Sequence, residues 1–102
     1  RDICYSARQL DAQEAYARRI VDQVLPEAEL EAESTAYAQR IAGNAPLTLA
    51  AMKFITGELL KNADDRDMTQ CAEMVEACFN SSDFIEGRRA FMEKRTAGFT
   101  GS

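Results

Sequence analysis

From residue 64 to residue 80 the chain keeps one apolar face. Met68, Cys71, Ala72, Val75, Cys78 and Phe79 fall at i, i+3, i+4, i+7, i+10 and i+11, while Arg66, Gln70, Glu73 and Glu76 fill the other side. That period predicts a half-buried helix over 64–80. Asp64, Asp65 and Asp67 crowd its expected first turn, where negative charge complements the helix dipole.

The segment before it has no such stripe. Apolar residues between Leu47 and Leu60 cover most azimuths of a helix that Pro46 can start, with Asn44 or Ala45 leading in. A helix apolar nearly all round packs on several sides. Either its neighbours wrap it, or a surface outside these residues covers it. A further helix is expected over 27–42, opened by Pro26 and closed near Gly43, a residue suited to a left-handed C-cap. Glu27, Glu29, Glu31 and Glu33 load its early turns. Spaced two apart, they point to differing faces and read as a solvated acidic surface rather than an acid/base pair.

Residues 11–18 predict a short helix and Ile20 to Leu25 a candidate strand, which would have no ladder partner. The last helix is expected over 83–94, with Asp83 as N-cap and Glu86 three residues on. Gly98 to Ser102 reads as a mobile tail. The pattern as a whole predicts a mainly α chain of about four to five helices with at most one short strand.

Composition narrows the chemistry. At 102 residues the chain is at most one domain, and its 46% hydrophobic and 28% charged residues are ordinary for a globular protein. A net charge of −5, with basic pairs only at Arg18-Arg19 and Arg88-Arg89, argues against a general nucleic-acid or anionic-membrane surface. Cys4, Cys71 and Cys78 form no C-x-x-C pair, and there is no histidine. A zinc site therefore has too few good ligands, and the three read as buried thiols in a reducing, cytoplasmic compartment. Without histidine no serine or cysteine nucleophile has its usual base, and the isolated glycines build no phosphate-cradling loop. The opening Arg-Asp-Ile-Cys lacks a methionine, as though cut from within a longer element.

Three blocks carry a resemblance. Leu10-Asp11-Ala12-Gln13-Glu14-Ala15 with Ile20-Val21-Asp22-Gln23-Val24-Leu25-Pro26 is the first, and Ile41 to Lys53 (IAGNAPLTLAAMK) the second. The third is the run from Ser82 to Phe99, SDFIEGRRAFMEKRTAGF. In this order they resemble the C-terminal part of the enoyl-CoA hydratase/isomerase (crotonase) family, and they cover nearly the whole chain. Arg19 stands where that family usually has glycine, and Ala97 where it usually has proline.

The resemblance implies that residues 1–102 form the C-terminal helical, trimerisation segment of the crotonase fold, with the N-terminal spiral ββα core absent. It implies a parent enzyme, a lyase that hydrates trans-2-enoyl-CoA, whose oxyanion-hole peptides and paired glutamates belong to that core. No catalytic residue is therefore assigned here, and the chain alone is expected to be inactive. Glu58, the most tempting carboxylate, is expected to meet a basic group across an interface or to reach solvent at the helix edge.

Two cofactor-binding candidates follow from the family's terminal motif. Lys94 matches the lysine that reaches the phosphate-bearing end of CoA in a neighbouring subunit, and Phe91 matches an aromatic lining the adenine region. Read by themselves, Phe91 fits a core position and Lys94 a solvated cation favouring the helix C-terminus. The expected partners are acyl-CoA and further copies of the chain, as a trimer or a dimer of trimers in the parent, with no covalent cofactor, metal, nucleic acid or membrane. The rival reading is a free-standing, non-enzymatic helical interaction module.

Overall fold

The computed structural model describes residues 2–102, and its regular structure is helical, with no strand among the described residues. The helices are α1 (Asp2–Ser6), α2 (Ala12–Ala17), α3 (Glu27–Ala42), α4 (Pro46–Leu59), α5 (Met68–Asn80) and α6 (Ser82–Glu93). A 3-10 turn at Ala63–Asp65 precedes α5. The mainly α architecture expected from the pattern is the one observed. The described residues fall into two compact units, one ending at Ala36 and the other Tyr37–Ser102.

In the first unit Asp11 caps α2 by accepting the Glu14 N–H at 2.7 Å. Glu14 in turn accepts Arg8 at 2.7 Å and Arg18 at 2.9 Å, and these guanidinium bonds, Arg8 first, pull its carboxyl down to about 2. The helix ends in a Schellman turn: Ile20 N–H bonds Ala15 O and Arg19 N–H bonds Tyr16 O, each at 2.9 Å. Arg19 holds the left-handed conformation at φ 57°. Glycine adopts that conformation without steric cost, whereas a side chain there costs roughly 1–2 kcal/mol. The departure from the family pattern at Arg19 thus falls on a backbone position made for glycine.

The candidate strand at Ile20 to Leu25 does not form. Ile20 is consumed by the end of α2, and no second extended segment offers a ladder. Cys4, expected to be buried, is exposed, because five-residue α1 is too short to build a covered face. Cys71 is buried and Cys78 half-buried.

Helix α3 starts and stops where the sequence predicts, but not by the expected cap. Gly43 has no positive φ; instead the Asn44 side-chain amide donates to Arg40 O at 3.0 Å. Pro46 opens α4 after Ala45, which offers no side-chain cap. The neighbours do not wrap α4: Ala51 is buried, but Met52, Leu59 and Leu60 stay exposed.

The link from α4 to α5 is built around Glu58. Only 5% exposed, it accepts Lys61 Nζ at 2.7 Å and the backbone N–H of Asp67 at 2.9 Å. The Lys61 bond first, and the Asp67 bond second, hold its carboxyl below the usual glutamate range. Glu58 thus meets a basic group within its own chain rather than across an interface, because Lys61 lies one helical turn on. Arg66 donates to Leu59 O and Lys61 O, each at 3.3 Å, covering the open end of α4.

This arrangement delays α5. The Asp67 carboxylate caps it by accepting the Gln70 N–H at 2.8 Å, so the helix begins at Met68 rather than at 64. Asp64 and Asp65 occupy the 3-10 turn instead of a first helical turn.

Helix α6 is capped by Ser81, not by the expected Asp83. Ser81 Oγ accepts the Phe84 N–H at 3.1 Å and donates to Cys78 O at 2.7 Å, tying α5 directly to α6. Phe79 and Phe84 meet edge to face across this joint, 5.1 Å apart at 71°. Replacing Ser81 with alanine removes the cap and leaves Cys78 O without its hydroxyl. Ser81→Ala is expected to destabilise the chain by about 1 kcal/mol, read as a lower midpoint in urea. Ser81→Asp, which restores an acceptor for Phe84, is expected to recover most of the loss.

Candidate functional site

Helices α4, α5 and α6 leave an apolar groove of about 550 Å³ between them. Ala51, Met52 and Ile55 line it from α4, Val75 and Phe79 from α5, and Phe84 from α6. Arg88 sets its guanidinium 5.8 Å from the Phe84 ring centre, a cation beside an aromatic wall. Phe91 lies at the groove's edge in the last turn of α6.

Phe91 is 82% exposed, which corrects the reading of it as core. Lys94 follows in a second Schellman turn: its N–H bonds Phe91 O at 3.2 Å, and Arg95 N–H bonds Ala90 O at 3.0 Å. Lys94 is left-handed at φ 52°, a conformation glycine would hold more cheaply. Its side chain is exposed and lies outside the groove lining. Among the described residues no carboxylate lies within ion-pair distance of it.

Its basic neighbours are differently disposed. Glu86 binds Arg95 through both oxygens, with a 3.0 Å bond to Nη2, and binds Arg89 at 2.7 Å. It also accepts the Gly98 N–H at 3.2 Å. Arg95 further bonds Glu93 at 2.6 Å. These bonds, Arg95 first, hold the Glu86 carboxyl far below the glutamate range, and Glu86 and Glu93 raise Arg95. Arg95 is therefore neutralised by Glu86 and Glu93, whereas Lys94 and Arg88 have no carboxylate at ion-pair distance among the described residues.

Asp83 was missed as a site of any kind. It is 3% exposed and points away from the helix start, toward the chain's end. Its Oδ1 accepts the Thr100 N–H at 2.7 Å and its Oδ2 the Gly101 N–H at 2.8 Å, while its own N–H donates to Ser102 O at 3.2 Å. The segment from Gly98 to Ser102, expected to be a mobile tail, is thus bonded along its length to α6. Its sequence carries the signal only as donors without obvious acceptors, Gly98, Thr100 and Gly101, next to two acids one helical turn apart. Among the described residues no cluster of three histidine, cysteine, aspartate or glutamate side chains is disposed to hold a metal.

Comparison with known proteins places this geometry. The enoyl-CoA hydratase/isomerase family model matches residues 1–102. A crotonyl-CoA hydratase of Syntrophomonas wolfei is 32% identical over 97% of this chain and 38% of its own length. A methylmalonyl-CoA decarboxylase of Escherichia coli is 33% identical over 99% of this chain and 40% of its own length. Among solved structures, an enoyl-CoA hydratase from Mycobacterium marinum superposes with a TM-score of 0.80 at 31% identity, over 96% of this chain and 39% of that one. An enoyl-CoA hydratase from Bacillus anthracis gives 0.78 at 29% identity, over 96% of this chain and 38% of that one. The chain therefore spans about two-fifths of the length of the relatives it matches.

The Glu86 clasp makes the end of α6 acid-sensitive. A carboxylate with a lower pKa folded than unfolded binds fewer protons in the native state. Its contribution is complete above the unfolded value, near 4.5, and drains as pH falls toward the folded one. Urea midpoints of the wild type and Glu86→Gln are expected to differ at pH 7, and the gap is expected to narrow steadily below pH 4.5. A gap that stays constant down to pH 3 would show that the charge of Glu86 contributes nothing to folding.

Proposed function

Because this chain belongs to the enoyl-CoA hydratase/isomerase family, we propose that it is the C-terminal assembly segment of an acyl-CoA enzyme and completes the CoA pocket of a neighbouring subunit. The observation that carries the reading is the end of α6, where Phe91 is exposed and Lys94 has no carboxylate at ion-pair distance while Arg89 and Arg95 are paired with Glu86. An ammonium beside a bare aromatic face suits the phosphates and purine of an ADP moiety. The parent reaction is hydration of a trans-2-enoyl-CoA, the chemistry nearest to the name of the Syntrophomonas relative. The decarboxylase relative shows that one family hosts other reactions, so the fold alone does not fix the substrate. The catalytic groups belong to the part of the relatives that this chain does not match. Three free thiols fit a reducing, cytoplasmic setting.

The assembly role is supported by apolar side chains left uncovered on α4, at its C-cap and on α6, among them Met52, Leu59, Leu60, Ile85 and Met92. A purified preparation of this chain is expected to scatter light as a dimer or larger at micromolar concentration and to leave crotonyl-CoA absorbance at the background rate. A persistent monomer, or turnover free of host hydratase, would overturn the corresponding half of the proposal.

In the full-length enzyme, Lys94→Ala is expected to raise KM for the CoA thioester about five- to thirty-fold at low salt, with kcat nearly unchanged. A phosphate contact is made equally in the ground and transition states, so its loss shows in KM. The effect is expected to shrink as ionic strength rises and to vanish with a pantetheine thioester lacking the ADP moiety. A fall in kcat with that truncated substrate would assign Lys94 to holding the helix or the assembly instead.

A further inference from the structure

We propose that residues 97–102 form a strap that opens and closes as one unit, with Asp83 as its latch and Phe99 as the removable wall of the apolar groove. The strap has no helix or strand of its own. Its backbone bonds run to α6: Gly98 N–H to Glu86, Thr100 and Gly101 N–H to the two oxygens of Asp83, and Ser102 O to the Asp83 N–H. Thr100 Oγ1 adds a 3.3 Å bond to the same carboxylate.

The strap is seated at two further points, and the second needs glycine. At Gly87 the Phe99 ring lies over α6, its Cε1 3.4 Å from where a Cβ would sit, and this ring lines the groove. At Gly101 the backbone turns left-handed, φ 81°, and passes the first residue of α4, with Pro46 Cβ 3.4 Å from the same notional position. The strap thus crosses from the middle of α6 to the start of α4. Lifting it takes Phe99 out of the groove wall and uncouples the two helices at that end.

Partial opening is disfavoured. If Thr100 and Gly101 withdraw, a carboxylate 3% exposed loses its donors, and a buried acceptor left unpaired carries the full desolvation penalty. The N–H of Asp83 also loses Ser102 O, reopening one of the orphan donors at the start of α6. Water must reach Asp83 before the strap can leave, and once it has, residues 99–102 keep only the packing of Phe99 on Gly87 and of Gly101 on Pro46. The device is therefore two-state, and its two contacts are coupled.

Residue-resolved hydrogen exchange on the 102-residue chain tests this. Asp83→Asn keeps the shape but weakens the acceptors, and is expected to speed exchange at Thr100, Gly101 and the amide of residue 83 together, by about ten- to a hundred-fold. Fluorescence of an apolar dye, anilinonaphthalene sulfonate, is expected to rise as the groove opens. Gly87→Leu leaves Asp83 intact and displaces the Phe99 ring, yet is expected to speed the same amides. Unchanged rates at Thr100 and Gly101 in Asp83→Asn, with helical circular dichroism retained, would overturn the latch. If Asp83→Asn loses its helical signal, Gly87→Leu decides alone: faster exchange at Thr100 and Gly101 supports the strap, and wild-type rates there overturn it.

Discussion

Glu58 and Asp83 are acidic side chains, each nearly covered, in a chain whose covered hydrophobic residues are the small ones: Ala51, Cys71 and Ala90. Three helices of twelve to fourteen residues do not have enough facing area to enclose their own leucines and phenylalanines. What fixes their relative positions is a set of polar joints with satisfied acceptors. Glu58 joins the end of α4 to the start of α5, Ser81 joins α5 to α6, and Asp83 returns the chain's end to α6. Each uses a side-chain oxygen to satisfy a backbone donor, and in the described residues no buried side-chain polar atom is left without a partner. The apolar side chains are then arranged on a frame they did not build.

Such a division of labour suits a segment that is finished by another surface. A core that closed on itself would have little left to offer, whereas the groove beside Phe84 and the outer face of α4 remain available. Lys94 fits the same logic. The Schellman turn needs a left-handed residue, and glycine would hold that conformation more cheaply than the lysine that stands there. Arg95, the next residue, folds back on both oxygens of Glu86.

The sequence made the helices legible and their junctions hard to read. Periodicity located α5, because burial acts on every third or fourth residue and leaves a repeated trace, whereas α3, α4 and α6 were placed by the residues that start and stop them. Caps leave a single-residue trace with several possible donors and acceptors. Asp83 followed by Glu86 looked like an N-terminal cap, but Ser81 stood two residues earlier and took that role, freeing Asp83 for bonds that cross 17 and 18 residues. The same kind of tertiary competition moved the start of α5: Asp67 N–H found Glu58 nine residues back, and the run of aspartates lost its place in the helix. Lys94 and Phe91 were found through motif likeness, and solvent exposure of Phe91 could not be read from spacing, since an aromatic seven residues after Phe84 looks the same whether a neighbour covers it or not.

The reach of these joints bears on how the chain acquires its shape. The Asp83 bond to Gly101 closes a loop of only 18 residues, and the joint at Glu58 one of nine. Loop-closure entropy grows with the logarithm of loop length, so such short spans are inexpensive to bring together. Chains dominated by local contacts reach their native topology within microseconds to milliseconds. Frame and strap are therefore formed on a timescale far shorter than that of two molecules meeting at cellular concentrations. A surface that docked against this segment would encounter it already shaped, and docking would select a preformed face rather than organise a collapsed coil.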